Sequence, residues 1–489
     1  MPIVVYNSLS GTKEELQTVE PGVLKMYVCG ITAYDYSHVG HARSAVIFDV
    51  IVRYLRRRGL KVVFARNFTD VDDKIIRRAN EEGTDPLELA DRFIAEYGRE
   101  MGALGVLPAD FEPRATHHIP EIIALVERLI SAGHAYAAGG DVYFAVTSWP
   151  GYGELSHRNL DELQAGARVE PGEHKRNPLD FALWKASKPN EPTWESPWGP
   201  GRPGWHIECS AMSMKLLGES FDVHGGGKDL VFPHHENERA QSEAATGKPF
   251  VRYWVHNGLV TINREKMSKS LGNFLTVADA LKLHHAEALR LFMLSAHYRS
   301  PVDYSDQNMH DAASGLGRLY AAYAAALDGG DGGGEAKVDE AALKKGERPA
   351  WEELKGLPER FTEAMDDDFN TARAVGCLFD AARAVNKVPP ASPQRLSLLG
   401  YARDLLALGG EVLGILRDDP QGFLERERGE HLARSGLSLE QLGEMIAARN
   451  RAREGKDFAQ ADAIRAELAE RYAIELRDFP GRTEWGVKR

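Results

Sequence analysis

The chain has 489 residues, 43% hydrophobic and 27% charged, with a net charge of −12, which predicts three or four domains of ordinary globular composition. No apolar run approaches the roughly 20 residues of a transmembrane helix, and the opening MPIVVYNSLSGTKEE has no charged leader before an apolar core, so a cytoplasmic protein with neither signal peptide nor membrane partner is expected. Three widely spaced cysteines make no disulfide framework, and the acidic balance leaves polyanion binding to local basic patches.

Val23–Cys29 (VLKMYVC) predicts a buried strand, His41–Arg58 an amphipathic helix and Lys61–Asn67 (KVVFARN) a second, parallel strand. This order makes a βαβ unit, the seed of a doubly wound, Rossmann-like α/β fold. Ligands in such folds bind at the carboxyl ends of the strands. Cys29 and the H-x-G-H sequence His38–His41 fall there, and Asp72, Asp73 and Lys74 follow the next strand end. Arg53–Arg66 carries six basic residues and no acid and reads as a solvated helix face. Residues 145–203, rich in Pro, Gly and Trp, read as part of an insertion. From Gly204 a helix, the segment Phe221–His224 with Gly225–Gly227, and a helix opening near Pro233 follow. Asp328–Ala336 (DGGDGGGEA) predicts a flexible break. Beyond it, Trp351–Leu416 and Leu439–Arg471 carry helix-period apolar patterns.

Two thiols, an imidazole and a carboxylate stand out: Cys29, Cys209 in GWHIECSAM, and His234 and Glu238 in FPHHENE. They make a plausible zinc set, because thiolate and imidazole suit a borderline-soft ion. His234 and Glu238 are i,i+4 and share a helix face. The alternative for each cysteine is a small apolar core residue. In His38-Val39-Gly40-His41 the glycine lets a phosphate or adenine approach the backbone, and the helix N-terminus favours an anion. Two histidines there can hydrogen-bond phosphoryl oxygens as charge develops. In Lys266–Ser270 (KMSKS), before Leu271-Gly272-Asn273, two lysines on a glycine-ended loop can clamp a triphosphate. Either motif alone is weak. Together, in this order, they are the signature of class I aminoacyl-tRNA synthetases and related adenylating enzymes.

The chain resembles the bacterial cysteinyl-tRNA synthetases of that class. The likeness lies in MYVCGITAYDYSHVGHAR, NFTDVDDKII, GWHIECSAM, FDVHGGGKDLVFPHHENERAQSEA, KMSKSLGN, AMDDDFNTARA and GKDFAQADAIR, which span essentially the whole chain. It implies ATP-dependent activation of L-cysteine to cysteinyl-adenylate and transfer to tRNA(Cys), by a monomer using ATP with Mg²⁺. It implies one Zn²⁺ per chain on Cys29, Cys209, His234 and Glu238. Tyr27, Thr69, Trp205, His224 and Asp229 would line the cysteine pocket. His38, Gly40, His41, Lys266, Ser268 and Lys269 would handle ATP. A hydrophobic pocket separates near-isosteric substrates by only ~1–3 kcal/mol, so serine would slip through, whereas zinc prefers a soft thiolate to an alcohol.

The layout implied is a catalytic domain in halves 1–114 and 206–250 around a connective insertion at 115–205. A stem-contact region at 251–310, a helical bundle at 311–425 and an anticodon-binding domain at 426–489 would follow. In the last, Arg451, Arg453, Phe458, Asp462, Asp478 and Trp485 are the candidate tRNA contacts; an ordinary charged helical hairpin is the alternative. The family usually has Pro and Val where this chain has Ile31 and Ala33, and the tail DFPGRTEWGVKR also strays from its pattern. A paralogue that joins cysteine to an amino sugar shares the zinc set and both nucleotide motifs but lacks the long segment after Ser305.

Overall fold

A hairpin of β1 (Val4–Asn7) and β2 (Thr12–Glu15) leads into β3 (Val23–Thr32). Parallel strands covered on both sides need apolar residues on both faces. Both β3 and β4 (Lys61–Thr69) supply them, with Leu24, Met26, Tyr27 and Val28 facing burial on one strand and Val62, Phe64, Ala65 and Phe68 on the other. The two strands pair in parallel and are joined by α1 (Val39–Arg57). The computed structural model describes residues 2–159, 174–189, 191–267, 274–327, 337–479 and 482–488.

After β4 come α2 (Asp73–Glu82), α3 (Pro86–Ala103) and α4 (Ile119–Ser131). An antiparallel sheet follows, in the order β5 (Ala135–Ala138), β6 (Asp141–Phe144), β7 (Phe181–Ala186), β8 (Gly201–Pro203). Its core residues Val142, Phe144, Leu183 and Trp184 pack in one cluster with Ile122, Val126 and Leu129 of α4. Ile207, Ala211 and Ala240, from the helices that follow, belong to the same cluster. The inserted sheet thus shares its hydrophobic core with the fold it interrupts.

The chain then runs through α5 (Trp205–Leu217), β9 (Phe221–Gly227), α6 (Glu236–Thr246) and β10 (Val251–Asn257). The parallel sheet has the order β10-β9-β3-β4. Its last strand starts at Val251, so the sheet continues past residue 250. A three-stranded sheet is built from β11 (Val260–Ile262), β12 (Glu265–Lys266) and β13 (Val302–Tyr304), in the order β12-β11-β13. The tight turn between β11 and β12 puts Asn263 and Arg264 at φ 50° and 66°, as a two-residue hairpin requires. Between β12 and β13 lie α7 (Val277–Leu283) and α8 (Ala286–Leu294).

These elements belong to one compact unit, Met1–Met309 with Glu359–Val375 and Val412–Gly414; a second unit comprises His310–Pro358, Gly376–Glu411 and Ile415–Arg489. Within the second, α9 (Pro420–Ser435), α10 (Leu439–Glu454) and α11 (Phe458–Arg471) precede an antiparallel hairpin of β14 (Ile474–Phe479) and β15 (Arg482–Val487). Leu437, Leu442, Leu468, Ile474 and Leu476 form its small core, with Ile464 and Trp485 packed against it.

Candidate metal centre and nucleotide cradle

Cys29 stands near the carboxyl end of β3, where the register with β4 shifts between Val28 and Ile31. Gly30 makes the shift possible. Its N–H donates to Asn67 Oδ1 at 2.9 Å, and a Cβ there would collide with the Asn67 carbonyl. Cys209 lies in the early turns of α5, His234 in the turn Val231–His235, and Glu238 in the first turn of α6. The fold thereby gathers donors from three stretches distant in sequence: Cys29, Cys209 and the His234–Glu238 pair. Cys29 Sγ is 3.7 Å from Cys209 Sγ and 3.4 Å from Glu238 Oε1, and His234 Nε2 is 2.9 Å from that oxygen. One ligand atom from each of the four lies within 4.8 Å of every other.

The spacing fits an ion. Zn–S bonds of about 2.3 Å place two sulfurs of a tetrahedron roughly 3.8 Å apart, close to the 3.7 Å between Cys29 and Cys209. A second group, Cys29, His224, His235 and Glu238, satisfies the same proximity. It offers one thiol where the first offers two, and soft donors favour zinc. In it, His224 Nε2 is already engaged with Glu238 Oε2 at 2.8 Å and His235 Nδ1 with His256 Nε2 at 2.8 Å.

Electrostatics make the first group a compensated set of charges. Burial lifts the Cys29 thiol well above its usual pKa, and the adjacent Cys209 adds to this. Burial also opposes ionisation of Cys209, but the Cys29 hydrogen bond and His234 bring it down to about 6. Against burial, Glu238 and Cys209 hold His234 up at about 10. Against burial too, His224 and His234 keep the Glu238 carboxyl well below its ordinary range.

The surroundings orient these donors. His206 Nδ1 meets His234 Nδ1 at 2.9 Å, which leaves Nε2 facing Glu238. Trp205 stacks on the His234 ring with centroids 4.3 Å apart, and His224 stacks on Trp254 at 4.7 Å. Tyr27 stands edge-on to His224 at 5.3 Å. Thr69 Oγ1 donates to Glu208 Oε2 at 3.0 Å, beside Cys209. Asp229 is exposed, in the turn after β9. Sequence reasoning missed His206, His235 and His256. The first two neighbour motif residues, whereas His256 comes from β10 with no motif around it.

The H-x-G-H turn caps α1 with its own histidines. His38 Nδ1 accepts from Gly40 N at 3.0 Å and His41 N at 3.3 Å, and His41 Nδ1 accepts from His38 N at 3.4 Å. The two rings stack 3.6 Å apart. Burial, then His38 and Lys74, push the His41 pKa well below 6.5, so its imidazole is neutral at pH 7. Lys266 ends β12; Ser268 and Lys269 lie outside the described residues.

Residues 15–314 match the family of tRNA synthetases class I (C) catalytic domain, and residues 360–417 match the DALR domain. Cysteine–tRNA ligase of Geobacter sulfurreducens is 56% identical over 490 residues, covering 100% of both chains. That of Geobacter metallireducens is 55% identical over 491 residues, again covering 100% of both. The chain belongs to the cysteine–tRNA ligase family. A solved methionyl-tRNA synthetase of Mycobacterium tuberculosis, in complex with methionyl-adenylate, shares the fold of this cysteine–tRNA ligase family member. Its TM-score is 0.59 at 18% identity, over 86% of this chain and 95% of that one.

The basic segments differ in how far they are neutralised in this family member. Arg53 pairs with Asp49 at 2.9 Å, Arg56 with Asp110 at 2.7 Å, Arg58 with Asp366, and Arg66 with Glu112 at 3.7 Å. Sequence patterning hid these acids because they come mostly from other segments. In the second unit, Arg451, Arg453, Phe458 and Asp462 are exposed. Asp478 is engaged by the buried Arg449, by Arg453 at 2.7 Å and by Thr483 at 3.0 Å. Trp485 is half-buried, with Arg428 5.9 Å from its ring centroid.

Proposed function

We propose that this chain activates L-cysteine with ATP and Mg²⁺ to cysteinyl-adenylate and transfers the cysteinyl group to tRNA(Cys). It selects cysteine over serine with one Zn²⁺ per chain. The observation that carries the reading is the convergence of Cys209, His234 and Glu238 on Cys29, all within 4.8 Å, beside the strand that leads into the H-x-G-H turn. Zinc held there would supply affinity for a soft sulfur over an alcohol oxygen and would lower the thiol pKa.

The chain's own residues orient and enclose. Trp205 and His206 fix the plane and tautomer of His234, and His224 holds the second oxygen of Glu238. Such outer partners raise metal affinity by pre-orienting the ligands. Trp205, Tyr27 and Thr69 wall the side-chain pocket, with Asp229 at its edge. His38 and His41, backed by the N-terminus of α1, meet the phosphates with neutral and backbone donors. Lys266 and Lys269 bring positive charge to the same phosphates, and Ser268 offers them a neutral hydroxyl donor. Arg451, Arg453, Phe458, Asp462 and Trp485 offer cations, an acceptor and aromatic faces suited to an unstacked anticodon. Asp478 serves there by holding Arg449 and Arg453. We infer a monomer acting in the cytoplasm; no helix among the described residues is long and apolar enough to cross a membrane.

Cysteine-dependent ATP–pyrophosphate exchange, followed by acylation of tRNA(Cys), tests the reading. Exchange with cysteine and not with serine, together with charged tRNA, is the expected result. Exchange with transfer to an amino sugar and none to tRNA would assign the paralogous ligase chemistry instead.

A further inference from the structure

Arg43 follows the H-x-G-H turn by two positions, on α1, and is 0% exposed. Among the described residues no carboxylate pairs with it. Its guanidinium donates instead to backbone carbonyls: Nη1 to Gly258 at 3.0 Å and Leu259 at 2.8 Å, and Nη2 to His297 and Tyr298, each at 3.4 Å, and to Ser300. Burial alone pulls its pKa from 12.5 to about 10, so the cation persists at neutral pH. A buried cation without a counter-charge is costly. Its position explains why one stands here.

The carbonyls come from two segments. Gly258 and Leu259 directly precede β11, whose hairpin partner β12 ends at Lys266. His297–Ser300 lies one residue, Pro301, before β13, the parallel partner of β11. The segments touch so closely that a Cβ on Gly258 would collide with the Ser300 carbonyl. The guanidinium therefore fastens the base of the three-stranded sheet to α1.

The far end of the K-M-S-K-S segment is tied to the same turn. His38 forms a backbone bridge with Thr276, Val39 N donates to Leu275 O at 3.2 Å, and Val277 N donates to Ser37 O at 2.8 Å. Phe274 stands edge-on to His38 with centroids 5.3 Å apart. At the near end, a Cβ on Gly40 would lie 3.8 Å from Met267 Cε. Both ends of the lysine-bearing segment are thus referenced to the H-x-G-H turn, one through Arg43 and one through the backbone.

We propose that Arg43 is a positioning residue for adenylate formation, holding the β11–β12 hairpin, which ends at Lys266, at a fixed distance from His38 and His41. The inference rests on the reading above that both motifs handle ATP. Charge clamps on a transferring phosphate act only when aligned in the transition state. A planar guanidinium with five donors spans two backbone segments at once, and an ammonium does not.

The test measures cysteine-dependent ATP–pyrophosphate exchange in the full-length parent, Arg43→Ala and Arg43→Lys, with zinc content and thermal melting alongside. Arg43→Ala should lose on the order of 10–100-fold in kcat while KM for ATP and for cysteine stays within about twofold and zinc content is unchanged. Guanidinium at low millimolar concentration, entering the vacated cage, should restore part of the rate, and methylammonium should not. Where Arg43→Ala does not fold, Arg43→Lys carries the test: lowered kcat at parental KM is expected, and parental kcat overturns the inference. A folded, zinc-replete Arg43→Ala with parental kcat, or a loss confined to KM, overturns it alone. A parent without exchange removes the functional reading and this inference with it.

Discussion

Replacing Cys209 by serine tests the metal centre at its most enclosed ligand. The Cys209 side chain is 1% exposed, and its sulfur lies 3.7 Å from that of Cys29. Four-ligand zinc sites bind with apparent free energies of about 10–16 kcal/mol, so the share of one ligand is on the order of 3 kcal/mol, or about 10²-fold in Kd. The buried hydroxyl that replaces the thiol adds a desolvation cost of ~1–3 kcal/mol, which lowers thermal stability whether or not metal is present. Chelator competition and metal analysis after dialysis read the affinity, and pyrophosphate exchange with cysteine reads the function. Both should fall together. Cys377, a buried thiol on the helix Thr371–Lys387, supplies the control: Cys377→Ser should keep parental zinc affinity. A folded Cys209→Ser with full zinc occupancy and parental affinity would falsify the ligand assignment.

Other outcomes follow from the same geometry. Lys269→Ala should lower the rate of cysteinyl-adenylate formation while leaving ATP affinity largely intact; a raised KM for ATP at unchanged kcat would make the lysine a ground-state binding residue. Ending the chain at Ser435 removes α10, α11 and the C-terminal hairpin but keeps Phe423 stacked on Tyr320 at 3.8 Å. Exchange should stay near normal while tRNA charging collapses, and equal loss of both would mean that the tail only supports the fold. Burial, then His224 and Lys228, hold His256 down at about 3, against about 6.5 in an unfolded chain. Above pH 6.5 neither state carries its proton. As pH falls below 6.5 the unfolded state gains a proton that the folded state refuses, so this group lowers stability by about 1.4 kcal/mol per pH unit until its folded pKa is reached. His256→Asn should reduce the slope of unfolding free energy between pH 6.5 and 5 by about one proton's worth; an unchanged slope would mean that His256 takes up its proton within the fold.

The first strand–helix–strand unit was legible because buried parallel strands write themselves as continuous apolar runs, as VLKMYVC and KVVFARN do. The inserted sheet was not. Its strands span three to six residues, and β6 pairs with β7 across a long intervening segment, so periodicity does not mark them; the one turn signal is Gly139-Gly140, at φ 66° and 90°, between β5 and β6. The hairpin β14–β15 does alternate, with Ile474 and Leu476 in the core, yet it is short and follows a long helical stretch. Candidate metal ligands stood out because thiols are scarce. The histidine that orients His234 did not, since His206 acts through a contact made in the fold rather than by spacing. The base of the K-M-S-K-S segment was hidden for the same reason: an arginine that binds only backbone carbonyls leaves no partner residue type to find.

The most direct measurement of the central claim is pyrophosphate exchange with cysteine and with serine, on one preparation assayed zinc-loaded, stripped of zinc and then reloaded. The account predicts exchange with cysteine alone in the loaded protein, loss of that exchange on stripping, and its return on adding back zinc. Cysteine-dependent exchange that persists at the loaded rate, with cysteine still preferred over serine, in protein shown to be free of metal would contradict it.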